Sequence, residues 1–158
     1  MNIKFLKKLK ALLALLSALT LVFSSVQSFA AANVIKIDGT EAVIPNGMGE
    51  IRERDNRTFV PLRFVSEFLK YTVWYDDASK TAYVSSDEKL ICVQNGNSVL
   101  FSVSKSTGES TLMQMDTAAY IDEAEGRTYL PIRFLAEAMN YTVGWDEASK
   151  TVTLDIIK

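Results

Sequence analysis

The chain has 158 residues, with 17 basic and 19 acidic side chains, no histidine and a single cysteine. Without imidazole, a Ser-His-Asp or Cys-His catalytic group cannot be assembled, and a metal centre built on histidine ligands is excluded as well. Four of the basic residues precede position 30, which leaves 13 basic against 19 acidic residues in the rest of the chain, a net charge of −6. Nucleic acid and anionic membranes repel such a chain, so neither is expected as a partner.

The first thirty residues have the three parts of a cleavable export signal. A basic segment, 2–10, precedes the almost wholly apolar segment 11–23, and small residues then occupy the positions that signal peptidase reads. The apolar run of about 13 residues is shorter than the roughly 20 needed to span a bilayer, which disfavours a membrane anchor. We therefore predict that residues 1–30 are a signal peptide cut after Ala30 or Ala32. The protein is then secreted, extracellular or associated with the cell wall, with no membrane span after cleavage.

Two β-hairpins are predicted from paired β-prone segments around turns that accept positive φ. An Asp-Gly pair lies at 38–39 and an Asn-Gly pair at 95–96. The predicted strands are 34–37 and 41–44 around the first turn, and 90–94 and 98–103 around the second. Another strand is expected after each hairpin, near 50–52 and near 120–121.

A nine-residue motif occurs twice in the chain. Arg-Thr-Phe-Val-Pro-Leu-Arg-Phe-Val at 57–65 returns as Arg-Thr-Tyr-Leu-Pro-Ile-Arg-Phe-Leu at 127–135, so position 57 corresponds to position 127. The similarity continues to the Ala-Ser-Lys-Thr segments at 78–81 and 148–151. Self-similarity over about thirty residues indicates an internal repeat.

Each copy is predicted to contain one short helix between β-strands. Pro61 and Pro131 fit the first helical position, where the missing N–H of proline costs nothing. Apolar side chains then recur at helical spacing, and the helices are expected to end near Lys70 and Asn140. The two apolar stripes are Leu62, Val65, Phe68 and Leu69 in the first helix and Ile132, Leu135, Ala138 and Met139 in the second. The flanking strands include 58–60, 72–75, 81–84 and 151–156.

These elements predict an α+β fold: two repeats of a small antiparallel β-sheet folded around one short helix. The first repeat is residues 31–86 and the second is residues 87–158. Units of about 55–70 residues have marginal cores alone, so we expect the repeats to pack as one body. Phe64 and Phe134 are the expected matched core anchors.

The motif at 57–64, followed by Trp-Tyr-Asp at 74–76 and Ala-Ser-Lys-Thr at 78–81, resembles the copper amine oxidase-like N-terminal domain family, also called the stalk domain. The resemblance covers nearly all of the chain after the signal peptide, in two copies. It implies a small antiparallel sheet around a helix in exported proteins of Gram-positive, often spore-forming bacteria, where such repeats accompany wall-binding or hydrolase modules. It does not imply oxidase activity, and the imidazole ligands that copper requires are absent.

Three side-chain groups are candidates for other chemistry. The acidic pairs Asp76-Asp77 and Asp146-Glu147 have the residue types of a metal site or a glycosidase dyad, but their recurrence before Ser-Lys-Thr favours turn capping. Cys92 lies in an apolar, strand-like run, which favours burial over an intermolecular disulfide. We predict no catalytic residue, no cofactor-binding residue and no metal site.

The aromatic residues after each helix are the remaining candidates. Tyr75 aligns with Trp145, which suits a shared core position, whereas Trp74 aligns with Gly144 and is the better candidate for a surface contact. Core packing is nevertheless the favoured role for these aromatics, because aromatic side chains dominate core burial.

The predicted function is a secreted, non-catalytic module, not an enzyme, that binds or spaces cell-envelope components such as a wall glycan or an envelope protein. One alternative is a structural self-assembly stalk unit, and another is an accessory or inhibitor subunit of a secreted enzyme. A hydrolase using the acidic pairs is the least favoured alternative. An exposed aromatic strip favours glycan binding, whereas an exposed apolar sheet edge favours self-assembly. The oligomeric state is left open.

Overall fold

The computed structural model describes residues 34–158, so the predicted signal peptide lies outside the described residues. Half of the described chain is in β-strands, and two short helices accompany three sheets, consistent with the α+β class. Within 34–158, no helix is both long enough and apolar enough to cross a membrane.

The predicted hairpins, helices and flanking strands occur close to their expected positions. The strands are β1 (Val34–Ile37), β2 (Thr40–Ala42), β3 (Arg52–Arg54), β4 (Arg57–Pro61), β5 (Thr72–Asp76), β6 (Thr81–Ser85), β7 (Lys89–Gln94), β8 (Val99–Ser104), β9 (Ser110–Gln114), β10 (Tyr120–Asp122), β11 (Arg127–Pro131), β12 (Tyr141–Asp146) and β13 (Thr151–Ile156). The helices are α1 (Leu62–Phe68) and α2 (Ile132–Ala138). Strand β9 was not expected, because its polar and apolar residues follow no clear alternation.

The sheets have the orders β12-β13-β1-β2, β10-β11-β4-β3 and β5-β6-β7-β8-β9. All of their pairings are antiparallel except that of β1 with β13, which is parallel. The expected antiparallel arrangement therefore holds for every pair except this one. The two strands come from opposite ends of the described chain, so no tight turn dictates their relative direction.

Three strand pairings join the predicted halves 31–86 and 87–158: β1 with β13, β4 with β11, and β6 with β7. The β4–β11 pairing sets Val60 opposite Leu130, which are corresponding positions of the sequence motif. Buried side chains from both halves also form a single hydrophobic cluster. The two halves therefore share one core.

The helices begin one residue later than expected. Pro61 and Pro131 close strands β4 and β11, and their ψ angles of 117° and 126° are extended, so each proline is the N-cap residue instead of the first helical residue. Lys70 and Asn140 have φ of 66° and 65° just beyond the helices. This left-handed conformation confirms the predicted helix ends, because a helix does not continue through it.

The apolar stripe of α2 is buried as predicted, but that of α1 differs at its end. Phe68 is 36% exposed, while Phe64 is 4% exposed and packs with its ring centroid 6.2 Å from that of Phe68. Phe134 is only half-buried at the edge of the core. The prediction that Phe64 and Phe134 are matched anchors is therefore wrong for Phe134.

Candidate functional site

The acidic pairs lie in the turns β5–β6 and β12–β13, where their first members cap the backbone. The carboxylate of Asp76 accepts hydrogen bonds from the amide nitrogens of Ala78 and Ser79, both at 3.2 Å, and from the Ser79 hydroxyl at 2.5 Å. Asp146 accepts from the corresponding amides of Ala148 and Ser149 at 2.9 and 3.2 Å. The predicted turn-capping role is confirmed.

The side chains that could bind a metal are carboxylates and one thiol, because the chain has no histidine. Across the described residues, no three side chains among His, Cys, Asp and Glu converge as a metal site would require. Because the whole chain also contains no histidine, it does not fit a copper centre of the imidazole type.

Cys92 lies in the middle strand of the five-stranded sheet, on the face that points away from the core. It is half-exposed, and partial burial raises the pKa of its thiol. Its neighbours Ile91 and Val93 occupy the core side of β7. The prediction of core burial for Cys92 is wrong, because strand alternation sends it to the opposite face from these two residues.

Trp74 lies on the same outward face, in the edge strand β5. It is 43% exposed and directly opposite Tyr83 of β6, with the two rings stacked at 5.2 Å and inclined by only 5°. The core-packing role favoured for Trp74 is therefore wrong. Its neighbours Val73 and Tyr75 pack against the core instead.

Trp145 is also exposed, at 38%, and its indole N–H donates to a carboxylate oxygen of Glu147 at 2.6 Å. The position that corresponds to Trp74 is Gly144, and Gly144 lies opposite Thr153. A Cβ at Gly144 would stand 2.5 Å from the Thr153 hydroxyl oxygen, so a large side chain has no room there. The stacked aromatic pair therefore occurs in one half of the described chain and not in the other.

A cleft of about 570 Å³ opens beside Trp74, and we call it the Trp74 cleft. Its walls come from the start of α1, from β5 and β6, and from the segments 47–48 and 121–128. The volume lies within the range of small-molecule sites, about 300–1,000 Å³. Trp74 is one of the residues of β5 that line the cleft.

Tyr75 lines the Trp74 cleft, but its hydroxyl points into the protein interior and is left without a hydrogen bond. The hydroxyl of Tyr75 is buried and finds no partner among residues 34–158. Arg63 lies on the same wall, where its guanidinium is 3.3 Å from a Glu67 carboxylate oxygen and 3.4 Å from the Val73 carbonyl. A buried, unsatisfied hydroxyl costs free energy unless a ligand or water completes it.

The cleft is lined by equal numbers of basic and acidic side chains. Three basic side chains (Arg63, Lys80 and Arg127) face three acidic ones (Asp77, Glu123 and Glu125). A strongly charged ligand gains no net attraction from such a lining, whereas an uncharged polar ligand finds donors and acceptors of both kinds.

The fold and this cleft define a small β-rich module with an exposed aromatic at a concave site. Residues 35–154 match the copper amine oxidase N-terminal domain, and the chain therefore belongs to this family. The resemblance expected from the motif at 57–64 is thereby confirmed, while the division into two copies stays a prediction. This domain is a non-catalytic part of copper amine oxidases. No curated protein and no solved structure matches the chain.

Proposed function

We propose that this protein is a secreted, non-catalytic module that binds an uncharged glycan of the cell envelope through Trp74 and the Trp74 cleft. The observation that carries the proposal is the juxtaposition of a 43% exposed tryptophan with a 570 Å³ cleft that this residue lines. The leader sequence supports export, and the family supports a non-catalytic role.

The chemistry of a sugar suits these groups. The C–H face of a pyranose ring packs on an aromatic ring, and Trp74 presents a large apolar surface for such a contact. Sugar hydroxyls both donate and accept hydrogen bonds, so they can pair with the guanidinium of Arg63 and with the acidic side chains that line the cleft. The balanced charges of the cleft favour an uncharged sugar over a phosphate-bearing polymer.

We further propose that residues 31–86 and 87–158 are two copies of one unit, of which the first alone has become the binding copy. The pair Trp74–Tyr83 corresponds to the pair Gly144–Thr153, which has no aromatic ring. In this arrangement the second copy completes the shared core and acts as a spacer for the first copy.

The test is binding of the chain without residues 1–30 to purified cell wall, prepared with and without its glycopolymers. We expect Trp74→Ala to weaken binding about tenfold or more, because truncation of a central aromatic contact typically costs over 1 kcal/mol. Trp145→Ala is the matched control, since Trp145 is similarly exposed but does not line the cleft. Equal binding by the wild type and Trp74→Ala would refute the proposal.

A second variant tests the role of the Tyr75 hydroxyl. Tyr75→Phe removes a buried polar group that has no partner in the described chain, so the free energy of unfolding should hold or rise. Binding to the wall should be unchanged, because the buried oxygen is not open to a ligand in the cleft. A large loss of affinity in Tyr75→Phe would mean that the hydroxyl becomes uncovered when the ligand binds.

A further inference from the structure

The free edge of the five-stranded sheet lacks the usual protection against pairing. Strand β9 forms one side of this sheet, and within residues 34–158 it pairs with β8 and with no other strand. Its sequence, Ser-Thr-Leu-Met-Gln, contains neither charge nor proline. Edge strands normally carry such features, because an open row of backbone groups pairs readily with another chain.

Two other sheet edges in the described chain are protected. Strand β3 reads Arg-Glu-Arg and is charged throughout. At β5, the other edge of the five-stranded sheet, the Arg63 guanidinium lies 3.4 Å from the carbonyl of Val73. The open edge at β9 is therefore not a general property of this fold.

Two backbone hydrogen bonds show which groups of β9 face outward. The amide of Met115 donates to the Ser98 carbonyl at 2.7 Å, and the amide of Ser104 donates to the Glu109 carbonyl at 2.8 Å. Bonded pairs alternate along an antiparallel ladder, so the odd-numbered residues of β9 bond to β8. The backbone N–H and C=O groups of the even-numbered residues, Ser110, Leu112 and Gln114, point to the free edge.

Leu112 is also the last member of an apolar row. The row crosses the outward face with each residue opposite the next: Trp74, Tyr83, Cys92, Phe101 and Leu112. Leu112 is 70% exposed because it has a neighbouring strand on one side and none on the other. In the sheet β12-β13-β1-β2 the corresponding row is polar, formed by Gly144, Thr153, Lys36 and Glu41. The fold itself does not require an apolar row.

We propose that β9 pairs with β9 of a second copy of this chain, antiparallel and with Leu112 opposite Leu112. In this register Ser110 lies opposite Gln114 of the other copy, and the outward backbone groups of both strands form about six hydrogen bonds. The pairing joins two five-stranded sheets into one of ten strands, and the apolar rows become continuous across it.

Charge does not oppose pairing with a second copy at this edge, and an antiparallel strand can pair with its own sequence in a symmetric register. Copies with a net charge of −6 after the signal peptide repel one another over most of their surface, but β9 carries no charge. In the same register Glu109 lies opposite Met115, and Asp116 lies opposite Gly108, so no two acidic residues are opposed. Because five-residue strands bury little area, below about 1,200 Å² in total, the dimer forms in a concentration-dependent manner.

The experiment measures sedimentation equilibrium of the chain without residues 1–30 over a wide concentration range. This deletion removes none of the described residues. Leu112→Lys places two lysines opposite each other and is expected to raise the dimer dissociation constant at least tenfold. Leu112→Ile, which keeps an apolar β-former, is expected to change it less than threefold. Both variants should keep the monomer fold, because Leu112 is largely exposed.

Hydrogen exchange supplies a second readout of the same pairing. The amides of Ser110, Leu112 and Gln114 should exchange rapidly in dilute solution and become protected as the concentration rises. A chain that stays monomeric up to about 1 mM overturns the proposal, as does a dimer that is unaffected by Leu112→Lys. Protection independent of concentration also overturns it, because the chain then covers its own edge. Trp74→Ala should leave the dimer intact, which separates this inference from glycan binding.

Discussion

Gly49 lies at a contact between two distant segments of the chain. Its φ is +91°, and a Cβ there would stand 2.5 Å from the Tyr129 hydroxyl oxygen and 2.8 Å from Cγ of Pro61. The Tyr129 hydroxyl donates to a Glu125 carboxylate oxygen at 2.9 Å and accepts from the Glu50 amide at 3.3 Å. Only glycine combines this backbone conformation with so close an approach.

Arg52 completes the cluster around Tyr129. Its guanidinium lies 4.4 Å from the centre of the Tyr129 ring and pairs with the carboxylates of Asp122 and Glu125. The hydrogen bond from Arg52 is the main reason why the pKa of Asp122 is lowered. This cluster holds the 47–52 segment against the 122–129 segment, and both contribute to the wall of the Trp74 cleft.

At this scale we predict that Gly49→Ala lowers the free energy of unfolding by about 1–3 kcal/mol more than Gly47→Ala does. Both glycines have positive φ, but a Cβ at Gly47 meets nothing within 4 Å. The difference between the variants therefore reports the contact with Tyr129 and Pro61, measured by urea unfolding. If the two variants lose equal free energy of unfolding, the loop at Gly49 moves away from Tyr129 and Pro61 at little cost in free energy.

At the scale of elements, the two turns that follow β5 and β12 are built alike. Each begins with an aspartate that caps two amides and ends with a lysine of positive φ, 54° at Lys80 and 52° at Lys150. The Ser79 hydroxyl, followed by the Ala78 and Ser79 amides, lowers the pKa of Asp76. The turn thus stabilises the ionised carboxylate.

The lowered pKa of Asp76 determines the direction in which the stability of the fold changes with pH. Because the pKa of Asp76 is lower in the folded chain than in the unfolded one, its contribution to stability is complete above the unfolded pKa of about 4. It is lost as the pH falls through the folded pKa. We predict that Asp76→Asn makes stability less dependent on pH below about 4, as measured by urea unfolding at several pH values.

Asp77→Asn is the control for this prediction, since Asp77 is the exposed neighbour and pairs with Lys80. It should leave the pH dependence close to that of the wild type. If Asp76→Asn and the wild type lose stability in parallel, the turn does not stabilise the charge as described.

At the scale of the whole molecule, the halves of the chain are interleaved through the strand pairs β1–β13, β4–β11 and β6–β7. Separation of the halves breaks all three sheets at once, and it exposes the common hydrophobic cluster. Such a structure should unfold in one cooperative step.

We predict that Phe64→Ala costs about 3–5 kcal/mol and lowers the melting temperature of the entire chain in a single calorimetric transition. Leu135→Ala, in α2, should cost about 2–5 kcal/mol and also give one transition, because Leu135 is fully buried. Phe68→Ala is the control with a smaller loss, since Phe68 is partly exposed. Two transitions in either core variant, with one half melting unchanged, would show that the halves are independent domains.

The amino-acid sequence by itself determined the features that depend on local chemistry. The Asp-Gly and Asn-Gly turns, the helix ends at Lys70 and Asn140 and the aspartate-capped turns all rest on backbone preferences of a few residues. The repeated motif at 57–64 was sufficient to indicate the family, and the absence of histidine excluded imidazole chemistry.

Only the tertiary structure decided which face of each strand meets the core. In β7 the run Leu-Ile-Cys-Val is apolar throughout, so it contains no alternation from which the inward side can be read. Packing directs Ile91 inward and Cys92 outward. Because Trp74 and Leu112 lie in the same cross-strand row as Cys92, they are on the same outward face of the sheet. The parallel β1–β13 pair and the free edge of β9 also depend on contacts between distant segments. The candidate glycan and dimer surfaces are therefore consequences of strand register, which local sequence patterns do not specify.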